Sequence, residues 1–191
     1  LLGSEQSGHV AGIGFELYCR LLRESVSRLK GEELSLRPSA TVRIDFLTAG
    51  EPSEEEQYDS IILMGAFFPD TYTSEPMLRI EAYRKLAQMR EENEINHYFE
   101  ELKDRFGPPP PEVFALIQET RIRCLVEEAG FDLLETKNKE LFCRLIKRGK
   151  GGTKQYWRKA GQIPKLSCKE PLLKLKEIIR FLKIEIHGNK S

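Results

Sequence analysis

The sequence predicts an α/β fold of the α+β kind, a layer of helices packed on a small sheet. Three observations predict it. From Pro76 to Gly130, apolar residues recur at steps of three and four through three successive stretches joined by short turns. Around Thr41–Thr48 the pattern changes to strict alternation. Around Lys137-Asn138-Lys139 two short apolar runs flank a turn, as hairpin arms do.

Taken in order, Leu1–His9 (LLGSEQSGH) is small and polar and reads as a loop. A helix follows from about Gly14 to Lys30, with Phe15, Tyr18, Leu22, Val26 and Leu29 on its apolar face and Gly31 as its stop. Glu32–Ala40 is a linker. Thr41–Thr48 is a half-buried strand, Val42, Ile44 and Phe46 on one side, Arg43 and Asp45 on the other. Gly50–Gln57, with Glu54-Glu55-Glu56, is an exposed acidic loop. Tyr58–Phe68 is a buried strand or extended segment ending at Pro69.

Ser74-Glu75-Pro76 begins a helix, with Ser74 as candidate N-cap, that runs to about Arg90 with Leu78, Ala82, Leu86 and Met89 inward. The next helix carries an apolar stripe of Ile95, Phe99, Leu102 and Phe106 and an opposite face of Glu94, His97, Glu101 and Asp104. Gly107 stops it, and Pro108 to Pro111 form a rigid corner whose last member opens the third helix. That helix ends at Gly130, with Val113, Ile117, Thr120 and Cys124 on one side. Phe131–Thr136 and Leu141–Ile146 are the hairpin strands, and Lys147–Lys159 is a basic loop. Ser167 and Glu170 have capping-box spacing before a last helix. Leu172, Leu175, Ile179 and Leu182 form its inner face, with Ile184 and Ile186 beyond it.

The 191 residues suffice for one or two domains with a real core, and 40% hydrophobic with 31% charged residues fits a soluble globular chain. No apolar run reaches the roughly 20 residues that span a bilayer, so no membrane association is expected. No signal peptide is visible and Leu1 is not a natural start, so the chain reads as a fragment. Cys19, Cys124, Cys143 and Cys168 are far apart with no C-x-x-C pair, which argues against zinc and for a reduced, cytosolic setting. The net charge of zero hides an asymmetry: residues 1–136 carry 14 Lys/Arg and 26 Asp/Glu, residues 137–191 carry 16 and 4. An acidic body with a basic tail either neutralises itself or faces two different partners.

The chemistry of an isolated enzyme is missing. Gly149-Lys150-Gly151-Gly152 lacks phosphate-loop spacing, and His9, His97 and His187 have neither metal nor triad spacing. No metal site and no cofactor of this fragment are expected. Two features remain open. Trp157, Arg158 and Lys159 close a segment of aromatics among basic residues, which either contacts nucleic acid or anchors a basic loop by its Trp. The acidic helix face is either plain solvated surface or a partner contact.

Several stretches together resemble a known family. LLGSEQSGH followed by GFELYCRLL is similar to the end of the second motor domain of transcription-repair coupling factors. Arg79-x-x-x-Tyr83-Arg84-Lys85-Leu86-Ala87, then Asp104-Arg105-Phe106-Gly107-x-x-Pro110, resembles that family's C-terminal domain. The resemblance implies three segments: 1–36, the terminal loop and helix of a RecA-like motor domain; 37–69, connecting strands with an acidic insertion; and 70–191, the C-terminal domain.

It further implies that the full-length protein is a bacterial, cytoplasmic, ATP- and magnesium-dependent translocase on double-stranded DNA. Such a protein removes stalled RNA polymerase at lesions and recruits nucleotide excision repair through the excinuclease A subunit. This fragment would be regulatory, without ATPase activity alone. Gln6 would match the glutamine of the translocation-coupling motif, whose arginine is absent here. Glu101 and Asp104 would match the acidic residues that dock on the protein's own N-terminal excinuclease-binding domain and mask it. The alternative is a nucleic-acid-binding module built on the basic tail; a third reading is a structural domain with no partner.

Overall fold

The structure, a computed structural model, describes residues 40–52, 62–146, 154–159 and 161–188. Gln6, the predicted helix of Gly14–Lys30, the Glu54-Glu55-Glu56 run and the Gly149–Gly152 turn lie outside the described residues.

The hairpin is the framework of the sheet. β4 (Phe131–Lys137) and β5 (Glu140–Ile146) pair antiparallel. Asn138 and Lys139 between them have φ of 50° and 68°, the left-handed pair that matches strand twist in a two-residue turn. On one side of the hairpin β1 (Thr41–Arg43) joins β4 in parallel; on the other β6 (Lys154–Tyr156) joins β5 antiparallel. The order is β1-β4-β5-β6. β2 (Leu47–Thr48) and β3 (Met64–Gly65) form a separate parallel pair. A parallel partner for β1 requires a crossover. Here it contains three helices: α1 (Pro76–Gln88), α2 (Glu92–Phe106) and α3 (Pro111–Glu128). The last helix, α4 (Pro171–Gly188), packs on α3.

α3 is the hub. Val113, Ala115, Leu116, Ile117 and Ile122 are fully buried, and burial runs round the helix, as expected for one covered on all sides. One continuous core joins Val42 and Leu134 of the sheet, Leu86 of α1, Ile95 and Leu102 of α2, and Leu175 and Leu182 of α4. Cys124 and Cys143 are buried free thiols, and burial pushes the Cys143 thiol up to about 12, leaving it inert.

Several expectations need correction. The strand of 41–48 keeps its alternating burial but breaks, because Asp45 leaves the ladder for β4. Its backbone N–H donates to Thr136 Oγ1 at 2.9 Å, and its carboxylate accepts from the Thr136 hydroxyl at 2.6 Å and the Asn138 N–H at 3.1 Å. Of the 58–68 segment, only Met64–Gly65 is strand among the described residues. Ser74 is not the cap of α1: Glu75 holds that position without a side-chain cap bond, and the helix stops at Gln88. Part of the basic loop, Lys154–Tyr156, is the edge strand β6.

Ser167 does not form a capping box with Glu170. The Glu170 carboxylate itself accepts from the Leu172 and Leu173 N–H groups, at 3.0 and 2.9 Å, because Pro171 opens the helix without an N–H. Ser167 bonds Glu177 instead. Ile184 and Ile186 lie inside α4, and its buried line is Leu175, Ile178, Leu182 and Ile186, with Leu172 and Ile179 half-buried at its margin.

Candidate docking face on helix α2

The face is positioned by the two ends of α2. At the start Glu91 is the N-cap, and Glu91 and Glu94 form a reciprocal capping box. At the end Gly107 has φ 85° and ψ −173°, and its N–H donates to the Lys103 carbonyl at 2.9 Å. The Tyr72 hydroxyl lies 3.1 Å from the Leu102 carbonyl and 3.0 Å from that of Gly107, and its ring packs on Phe106. The helix stop is thus bolted to the segment before α1. Tyr98, absent from the expected apolar stripe, is buried beside Ile95 and Leu102, while Phe99 and Phe106 are half-buried.

The segment before α1 is fixed in turn by Arg79. Its buried side chain donates to the Thr73 and Ser74 carbonyls at 2.7 and 3.3 Å and pairs with Asp70 at 3.0 Å. One turn on, the buried Tyr83 hydroxyl accepts the Phe68 N–H at 3.0 Å. At the end of α1, Arg123 of α3 donates to the carbonyls of Leu86 and Ala87 at 2.8 and 3.1 Å. The Arg79…Ala87 motif is therefore a structural staple. Its arginine and tyrosine each hold backbone that precedes the helix.

On the outer side of α2 the two acidic residues differ. Glu101 is partly buried and committed: one carboxylate oxygen accepts from Lys85 of α1 at 2.9 Å and from Arg105 at 3.2 Å. The hydrogen bond from Lys85 holds the Glu101 carboxyl below its usual range; partial burial opposes this and Arg105 adds to it. Asp104, one turn on, is exposed and makes no ion pair among the described residues. Glu100 and Lys103 form an exposed pair at 3.3 Å. Neither pair of Glu101 was read from the sequence: the spacing of four to Arg105 was a signal for one, whereas Lys85 reaches Glu101 only through the packing of α1 on α2.

The basic candidates lie elsewhere, at the β6 edge. The Trp157 ring is half-buried, 6.3 Å from Phe131, and its backbone N–H donates to the Cys143 carbonyl at 2.7 Å. Arg158 is exposed and donates to the Gly161 carbonyl at 3.3 Å. Lys159 is exposed, its ammonium 5.5 Å above the Phe181 ring. Among the described residues no cluster of three His, Cys, Asp or Glu could hold a metal ion, and no helix is long and apolar enough to cross a membrane.

Residues 62–155, from just before β3 to within β6, match the TRCF domain. Over 130 residues the chain is 36% identical to the transcription-repair-coupling factor of Mycobacterium tuberculosis (strain CDC 1551 / Oshkosh), covering 68% of this chain and 10% of that protein. The corresponding Escherichia coli (strain K12) protein is 33% identical over 140 residues, covering 73% and 11%. The chain belongs to the transcription-repair coupling factor family. It spans about a tenth of the length of these relatives. A crystal structure of the C-terminal domain of transcription-repair coupling factor shares the fold, with a TM-score of 0.52 and 20% identity over 82% of this chain and all of that one. The α+β architecture follows from this shared fold, and the family from the matched domain and the relatives.

Proposed function

We propose that the outer face of α2 is a releasable contact through which this domain masks a basic surface on the N-terminal excinuclease-binding part of the longer protein. Asp104 carries the reading: a carboxylate on a helix fixed at both ends, exposed and without an ion pair among the described residues. Family membership supplies the context of transcription and repair. Exposed charge pairs contribute to rate and specificity and are screened by salt, which suits a clamp that must open.

In this reading the two acids carry unequal weight. A basic partner meets Asp104 directly, but must compete with Lys85 and Arg105 for Glu101. In the longer protein this contact would gate a DNA translocase that removes stalled RNA polymerase and recruits excision repair. ATP and magnesium would act in its motor, and Gln6 would serve in coupling hydrolysis to movement. The half-buried ring of Trp157 favours this reading over nucleic-acid binding at the β6 edge.

The test is binding of the full-length protein to the excinuclease A subunit. Asp104→Lys should release the mask and strengthen binding, and Glu101→Lys, Asp104→Lys should do so more. A single Glu101→Gln should do less than Asp104→Lys. Unchanged binding in the double variant would refute the masking contact.

A further inference from the structure

Helix α4 turns one side into the body and leaves another bare. Leu175, Ile178, Leu182 and Ile186 are buried, whereas Leu173 is 47% exposed and Ile184 50%. Positions 173 and 184 lie three turns apart on one line of the helix, a distance of about 16 Å. Lys176 and Arg180 stand between them on the same side. A shallow groove runs alongside, lined by Lys176, Ile179, Arg180, Lys183 and Ile184.

The carboxylates of this helix are turned to other tasks. Glu170 caps it, and Glu177 accepts from the backbone N–H groups of Ser167 and Cys168. Glu185 is half-buried and its charge is felt at Cys143, on the sheet side. Lys183 is bonded to Glu92 at 2.7 Å. Lys176 and Arg180 are exposed and make no ion pair among the described residues. The face therefore presents aliphatic side chains at its two ends and, between them, positive charge that is unpaired among the described residues.

We propose that this face of α4 is a docking site for an acidic amphipathic helix of a second protein. Leu173, Ile179 and Ile184 supply the apolar contact of a helix laid along a groove, and Lys176 and Arg180 supply the charge that selects an acidic one. A nucleic acid fits less well. Two uncommitted cations give a salt dependence of only about two phosphate contacts, and the aliphatic residues would face a phosphate backbone.

The test titrates the 191-residue chain with a labelled synthetic Leu/Glu amphipathic helix, followed by fluorescence anisotropy and amide NMR. A Leu/Lys version and a labelled DNA duplex run in parallel. The Leu/Glu helix should bind saturably and shift the amides of residues 173–184. Lys176→Glu with Arg180→Glu should weaken it about tenfold or more, and Leu173→Ser with Ile184→Ser should do likewise. Both pairs are exposed or half-exposed, so thermal melts should match the parent, and Met77→Ser, exposed on α1, should bind normally. No binding, or binding indifferent to both pairs of changes, overturns the proposal. So does tighter binding of the duplex lost in the charge variant, or concentration-dependent self-association lost in that variant.

Discussion

Arg79 shows what a charged letter can conceal. On α1 it stands in helical line with the inward Ala82 and Leu86, yet its charge marks it as surface; it is 8% exposed and holds the Thr73 and Ser74 carbonyls. Arg79→Ala should lower stability to urea by about 2–3 kcal/mol, since it leaves a buried carbonyl without its charged donor. Arg79→Lys, lacking the planar fork, should recover only part of that. Tyr83→Phe removes the acceptor of the buried Phe68 N–H and should cost about 1–2 kcal/mol, with ring packing against Phe68 retained. Periodicity did not identify either residue as core, because it scores charge and hydroxyl as surface; the resemblance singled them out as a motif without saying what they hold. Asp104 was legible as an acid on the polar face, but the commitment of Glu101 to Lys85 depends on tertiary packing.

Helices were the most legible elements, because their boundaries are written in Gly and Pro. Gly107 is the clearest: φ 85° with ψ −173° is a region open essentially to glycine alone. Gly107→Ala should therefore destabilise by about 1–3 kcal/mol, read as a lower melting temperature. For α4 the period was right and the face was displaced by a residue or so, since Leu172 and Ile179 lie at the margin of the line through Leu175, Ile178 and Leu182. Leu175→Ala should cost about 2–5 kcal/mol, and Leu173→Ala, on the open side, far less. Strands were less legible. The alternation of 41–48 correctly named the buried residues, but the break at Asp45 comes from β4, nearly the whole domain away in sequence. The edge strand β6 was hidden by its basic composition, because its pairing with β5 makes no demand for apolar side chains at an edge.

Across the whole molecule, the acidic body and basic tail partly neutralise one another. Glu92 of α2 accepts from Arg121 of α3 and Lys183 of α4, both at 2.7 Å, so one carboxylate ties three helices. Burial pushes this carboxyl up, and the hydrogen bonds and charges of Lys183 and Arg121 more than offset it, so it stays below the usual range. A lowered folded value means the clasp contributes fully above the unfolded Glu value of about 4.3 and is lost as pH falls through the folded value. The unfolding midpoint should hold steady from neutrality down to about pH 5 and then drop, and Glu92→Gln should flatten that drop. Lys165 and Glu140 make a second, looser link at 3.5 Å. What the tail does not spend internally, Lys176 and Arg180 among it, stays on the open side of α4.

The parallel pairing of β1 with β4 also has a consequence in time. Asp45 and Thr136, which latch the two strands together, are 91 residues apart. At synthesis rates of about 5–20 residues per second, β1 leaves the ribosome roughly 5–18 s before its partner exists. Throughout that interval Val42, Ile44 and Phe46, buried in the finished sheet, have no strand to cover them. The sheet is thus not assembled in the order of synthesis: β1 waits for a strand made after the three helices of the crossover.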